Sequence, residues 1–170
     1  MPNIIKQGQV RPDDWNLLRR DENGQLPEVA AGGNVIVPLS DWLERRAFWR
    51  SHAARVGVWL GPDEDPAQLL ADLPELELIA VDFPAFTDGR GYSHARLLRE
   101  RYGYRGELRA IGDVWQDLLH SMAQVGFDAF AIKDGKALES SLDGFNTFSE
   151  NYQATVLNPL PLFRRRVTSL

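Results

Sequence analysis

Residues 78–112 read LIAVDFPAFTDGRGYSHARLLRERYGYRGELRAIG. Leu78 to Phe83 is a near-continuous apolar run of the kind found in strands covered on both faces. A glycine-bearing turn follows at Thr87-Asp88-Gly89-Arg90-Gly91-Tyr92-Ser93, then a helical stretch, then a second strand over Glu107 to Ile111. The turn lies where a strand's carboxyl end hands over to a helix's amino end, the usual place for an α/β sheet to hold a ligand.

Working outward, the same rhythm recurs. Val35 to Leu39 reads as a buried strand, and Asp41 with Glu44 makes a capping-box pattern for a helix to about Ala54. Arg55 to Leu60 is the next strand, with Asp65-Pro66 opening a short helix after it. Beyond the central stretch, Asp113 with Gln116 marks another helix start, Gly126 its end, and Phe127 to Ile132 a fifth strand. Short helices are expected within 137–154. Residues 3–20 hold two short apolar runs around turn residues, Ile4-Ile5-Lys6 and Trp15 to Arg19, which predict a small hairpin.

Strands separated by helical segments imply right-handed crossovers and a mainly parallel sheet. The expected fold is one α/β domain over 1–155, with 1–33 as an N-terminal appendage and loop and 156–170 as a flexible tail. Its sheet is expected to be open, with about five strands and helices on both faces. A partial β/α barrel is the alternative, since a complete one usually needs at least ~200 residues.

A net charge of −5 argues against nucleic acid and membrane surfaces as partners. With no apolar run of membrane-spanning length and no apolar leader after Met1, a cytoplasmic location is expected. The chain has no cysteine, which excludes an iron–sulfur cluster or any other cysteine-ligated cofactor, a thiolate nucleophile and a disulfide. His52, His94 and His120 fall at no metal-binding spacing, so no metal site is expected.

Six arginines stand between Arg90 and Arg109, giving that segment +4 and leaving −9 for the remainder. One reading is an anion site on Asp88, Gly89, Arg90, Gly91, Tyr92, Ser93 and Arg96, with backbone N–H groups, the Ser93 hydroxyl and the Arg90 fork as donors. The other has Ser93 as a helix cap and the arginines on a solvated face. Asp82 and Asp113 both fall at strand carboxyl ends and are candidate acid or base groups, with His94 a third. The competing roles are a helix cap for Asp113, a turn bond for Asp82 and solvated rings for His94 and His120. Trp42 and Trp49 share a helix face with Leu43 and Ala47, which reads as core packing or a homodimer interface, with a cofactor box as the alternative.

The run Asp88 to Ser93, then Ala95 to Tyr104, Gly106 to Ala110, Gly112-Asp113-Val114, Gly126 to Phe130 and Tyr152-Gln153 resembles a family of bacterial proteins of unknown function, commonly described as probable oxidoreductases involved in sulfite reduction. The resemblance implies a place in assimilatory sulfate and sulfite reduction. It makes sulfite reductase or another enzyme of that route the expected partner, and it carries no catalytic residues over. A cysteine-free chain cannot be the subunit that holds a thiolate-bound cluster, nor can it carry a reducing dithiol. The expected function is therefore an accessory protein that binds a partner reductase or a small oxyanion. The alternatives are an oxidoreductase with a bound cofactor of unknown kind, and a structural dimerisation module.

Overall fold

The computed structural model describes residues 3–132, 154–161 and 164. Among them, one eight-stranded sheet runs through the chain: β1 (Asn3–Lys6), β2 (Gln9–Pro12), β3 (Asn16–Leu17), β4 (Asn34–Pro38), β5 (Arg55–Leu60), β6 (Leu78–Phe83), β7 (Glu107–Gly112) and β8 (Ala129–Phe130). Three α-helices accompany it, α1 (Leu39–His52), α2 (Arg90–Arg96), which runs on through a π-helical turn over Leu97–Arg101, and α3 (Leu119–Gln124).

The spatial order is β2-β1-β8-β7-β6-β5-β4-β3. From β3 to β8 neighbours are parallel and strictly sequential, while β1 pairs antiparallel with both β8 and β2. The sheet curls into an open half-barrel, so the partial-barrel alternative describes it. All five expected strands are present, and β1, β2 and β3 add to them.

Helices on both faces is the expectation the structure corrects. Crossovers of one hand that always advance to the next strand in the same direction must land on the same face, and only a reversal of strand order would send a helix to the other. The helix-side core joins Val35, Val58, Ile79, Val81, Phe83 and Leu108 to Trp42, Trp49, Ala95, Leu98, Leu119 and Met122. A second, smaller cluster on the concave face joins Ile36, Leu78, Ala80 and Ile111 to Trp15.

Trp15 explains what covers that face. The β1–β2 hairpin sits at one end of the sheet and β3 at the other, so residues 13–15 cross the concave side between them. The second apolar run is therefore the far edge of the sheet and no partner in the hairpin. Asp13 accepts from Arg109 Nη1 at 2.9 and 3.0 Å, Asp14 pairs with Arg55, and Arg55 stacks over the Trp15 ring at 4.8 Å. This crossing strap gives β6, buried at all six positions, its second cover.

Several expected caps are spent otherwise. Helix α1 starts at Leu39 after Pro38, which puts Asp41 inside its first turn, where the carboxylate accepts from Trp49 Nε1 at 2.6 Å. Trp42 Nε1 donates to Asp72 at 3.0 Å, and both tryptophans of the stripe are buried in the chain's own core. Asp65 does cap its short 3₁₀ helix, accepting from Ala67 N at 2.9 Å, with Pro66 behind it. Helix α2 is capped by Gly89, so Ser93 lies within the helix and caps nothing. His120, expected to be solvated, is buried, because the helix carrying it begins at Leu119 and turns that position inward. The helices expected within 137–154 and most of the tail lie outside the described residues. Val156 donates to the Gln124 carbonyl at 2.9 Å.

Candidate functional site at the carboxyl end of the sheet

Alternation along β6 aims Val81 and Phe83 at the helices and Asp82 at the concave face. There Arg19 meets it with a two-pronged bond, Nη2 to Oδ1 at 2.5 Å and Nη1 to Oδ2 at 3.3 Å. The Asp82 side chain is 12% exposed and that of Arg19 43%. Arg19 also lies over the Trp59 ring at 5.2 Å, while Trp59 Nε1 donates to the Leu18 carbonyl at 2.9 Å and Leu18 N to the Ile36 carbonyl at 2.9 Å. Strand β3 thus fixes the base of an arginine whose head closes the carboxyl end of the concave face. The fork engages both carboxylate oxygens, so Asp82 is held as half of an ion pair.

Gly112 ends β7 with φ +93°, and a Cβ there would come within 2.4 Å of the Phe83 carbonyl oxygen and 2.7 Å of Asp82 Oδ1. That close approach lets Asp113 N donate to the Phe83 carbonyl at 2.7 Å. The Asp113 carboxylate accepts from Phe86 N at 2.9 Å and from Trp115 Nε1 at 2.8 Å. In place of capping the next helix, Asp113 pins the turn that leaves β6.

That turn ends at Asp88, whose N–H donates to the Ala85 carbonyl at 3.0 Å. Its carboxylate takes the place an incoming anion would occupy: Oδ1 accepts from Arg90 N at 3.1 Å and Nε at 3.0 Å, and Oδ2 from Nη2 at 2.7 Å. The remaining face of the guanidinium pairs with Asp63. The Arg90 bonds pull the Asp88 carboxyl down from 3.8 to about 2. A depressed carboxyl stabilises the folded form above its unfolded value and loses that contribution as pH falls through the folded one. Hence the Asp88 side-chain ¹³C resonance should titrate with a midpoint near 2, and Arg90→Ala should return it toward 3.8.

The structure therefore brings Asp88, Gly89 and Arg90 together and disperses the rest of the expected set. Gly91 is buried against Phe83, Tyr92 packs edge-on to Phe83 at 5.7 Å, Ser93 is exposed, and Arg96 reaches Glu100 at 3.4 Å. His94 rides on α2, on the helix side of the sheet opposite the face Asp82 looks onto, with Nδ1 shielded from solvent. Burial lowers its pKa against the pull of Asp65, Glu64 and Asp88. Among the described residues no group of three or more histidine or acidic side chains could hold a metal. Arg19 and Asp63 are the members that sequence reasoning missed. Asp63 follows the carboxyl end of β5, a position that general rule could have flagged, whereas nothing in the sequence connects Arg19 to Asp82.

The arginine-rich segment also has a structural account. Arg99 is a part-buried strut, its side chain 9% exposed, that donates to the carbonyls of Gly126, Tyr104 and Gly106 and to Asp128, and Arg109 is buried beneath the strap.

A family profile described as a bacterial protein of unknown function (DUF934) matches residues 57–163. That span takes in Asp63, Asp82, Asp88, Arg90 and Asp113 and leaves out Arg19. No curated protein matches the chain.

Proposed function

On the premise that the chain belongs to the DUF934 family of bacterial proteins of unknown function, we propose that it is an accessory protein of assimilatory sulfite or sulfate reduction that docks on a partner reductase through the carboxyl-end rim of its half-barrel. The sulfur context comes from the resemblance of the 88–114 run. The accessory role is supported by the absence of cysteine, which leaves the thiolate-bound carriers of that chemistry to another chain.

The observation that carries the docking is the state of the rim. Its two arginine forks, Arg19 and Arg90, are filled by the chain's own carboxylates, and a free oxyanion would have to displace them. At the same end of the sheet Phe86 stands 50% exposed, on a turn pinned at Phe86 N by the Asp113 carboxylate and at Asp88 N by the Ala85 carbonyl. An exposed aromatic on a pinned turn that leads into an arginine has the composition of an interface anchor.

The test is capture of sulfite reductase subunits by the tagged full chain from sulfate-grown bacteria. Wild type should retain the reductase, and Phe86→Ala should lose most of it with an unchanged melting curve. A strain lacking the chain should stall on sulfate and sulfite and recover on sulfide. No capture by wild type, or equal capture by Phe86→Ala, would overturn the reading.

A further inference from the structure

The opposite end of the concave face carries a different feature. A cleft of about 300 Å³ opens beneath the strap at the amino ends of the parallel strands, with Trp15, Arg55, Glu107 and Arg109 among its lining. That volume suits a small metabolite. Its walls are charged, and nearly every charge is already committed. Arg109 engages Asp13 and Glu107, Lys6 meets Glu107 at 2.5 Å, Arg55 lies between Asp14 and Glu77, and Asp128 takes Arg99.

Two arginines of the lining are left over. Among the described residues, neither Arg11 nor Arg105 meets a carboxylate, and the one side-chain bond given to either is Arg11 Nη2 to Gln9 Oε1 at 3.0 Å. Both line the same cleft, in a chain of net charge −5.

Both are carried on fixed backbone. Arg11 lies directly across the hairpin from Ile4, so it shares the face on which buried Ile4 lines the cleft. Arg105 sits between Tyr104 and Gly106, whose carbonyls both accept from Arg99 Nη1, at 2.9 and 2.8 Å. The Tyr104 hydroxyl donates to the Leu76 carbonyl at 3.0 Å, and a Cβ on Gly106 would meet that hydroxyl at 2.3 Å. The turn cannot shift without breaking these contacts, so its guanidinium starts from an ordered base.

We propose that this cleft is a second binding site, taking a small molecule that presents an oxyanion group, carboxylate, phosphate or sulfate, to Arg11 and Arg105. The site is independent of the rim and of any docked partner. Its donors suit an oxyanion because two planar forks can each give paired N–H bonds to one acidic group.

The experiment is an NMR titration of the full chain with inorganic sulfate, inorganic phosphate and malonate in separate arms, followed at the indole N–H of Trp15. At least one arm should saturate in the millimolar range, and which one does identifies the acidic group. The double variant Arg11→Gln with Arg105→Gln should weaken that binding about tenfold or more, given the strength of charge-assisted hydrogen bonds. Both positions are exposed, and an unchanged spectrum elsewhere shows that the fold is intact. Arg90→Ala, at the other end of the sheet, should bind as wild type does. No saturation in any arm, or saturation that the double variant leaves unchanged, would overturn the proposal. Loss on Arg90→Ala alone would move the site to the rim and overturn it equally. Reductase capture is a separate readout, so either proposal can fail without the other.

Discussion

Arg109→Ala should lower the unfolding free energy by about 3–5 kcal/mol, the usual cost of removing one partner from a buried ion pair. The Arg109 side chain is 3% exposed and bridges two separate segments, donating through Nη1 to both oxygens of Asp13 and through Nε to Glu107 at 2.8 Å. Lys6 would still neutralise Glu107 after the substitution, so Asp13, its side chain 11% exposed, is the group left without a counter-ion. The backbone N–H of Trp15, 3.2 Å from Asp13 Oδ1, cannot compensate for a guanidinium. Urea denaturation of Arg109→Ala, Asp13→Asn and the pair together would resolve this. The double variant should lose less than the sum, because removing both charges leaves none uncompensated. A loss below about 1 kcal/mol in Arg109→Ala would mean that the pair behaves as a solvated one. Since domains of this kind hold only about 5–15 kcal/mol in all, the expected loss is a large share of the total.

The second large effect is at Gly91. Its φ is not positive, so backbone strain is not the reason that a larger residue fails there. The reason is space. A Cβ would lie 2.6 Å from Phe83 Cζ and 3.0 Å from Val81 Cγ1. Phe83 is 1% exposed and already packed against Phe127 and Tyr92, so it has nowhere to retreat. Gly91→Ala should cost about 1–3 kcal/mol through overpacking, and Gly91→Val more, with α2 displaced from β6. Gly89→Ala is the built-in control. It meets nothing within 4 Å, and should cost about 1 kcal/mol or less through the weaker N-cap preference of alanine. Thermal melts that ranked Gly89→Ala as the worse substitution would contradict the packing account.

Much of the sheet could be read from local pattern. The apolar runs at 35–39, 55–60, 78–83 and 107–111 are short, bounded by turn residues and separated by helical spacing, and each became a strand within one or two residues of its expected bounds. Strand order could not be read, because nothing local records which way successive crossovers advance, and one direction kept throughout makes a half-barrel with helices on one face. The role of residues 3–17 was hidden for a similar reason. Ile4-Ile5-Lys6 and Trp15 to Arg19 are close in sequence and look like a hairpin pair, yet the strands they contribute, β1 and β3, lie towards opposite ends of the sheet. The caps expected at Asp41 and Asp113 are spent elsewhere because acidic residues near helix starts are also what indole N–H groups recruit, and only three-dimensional proximity chooses. At the rim, Asp88 and Arg90 were visible as a pair of neighbours. That they would satisfy each other could not be seen without Asp63 and the turn geometry.

The pairing of β1 with β8 has a consequence for how the chain is made. Ile5 finds its sheet neighbour in Phe130, so the first hairpin can close on itself as soon as it emerges but cannot dock until β8 has been synthesised. In the interval β8's neighbouring edge on β7 and the apolar side chains Leu78, Ala80 and Ile111 stand open to other nascent chains. Contacts closed so late across so much sequence slow folding and lengthen exposure to aggregation. Ribosome-bound chains arrested before residue 129 should therefore engage chaperones more strongly than chains arrested after Phe130.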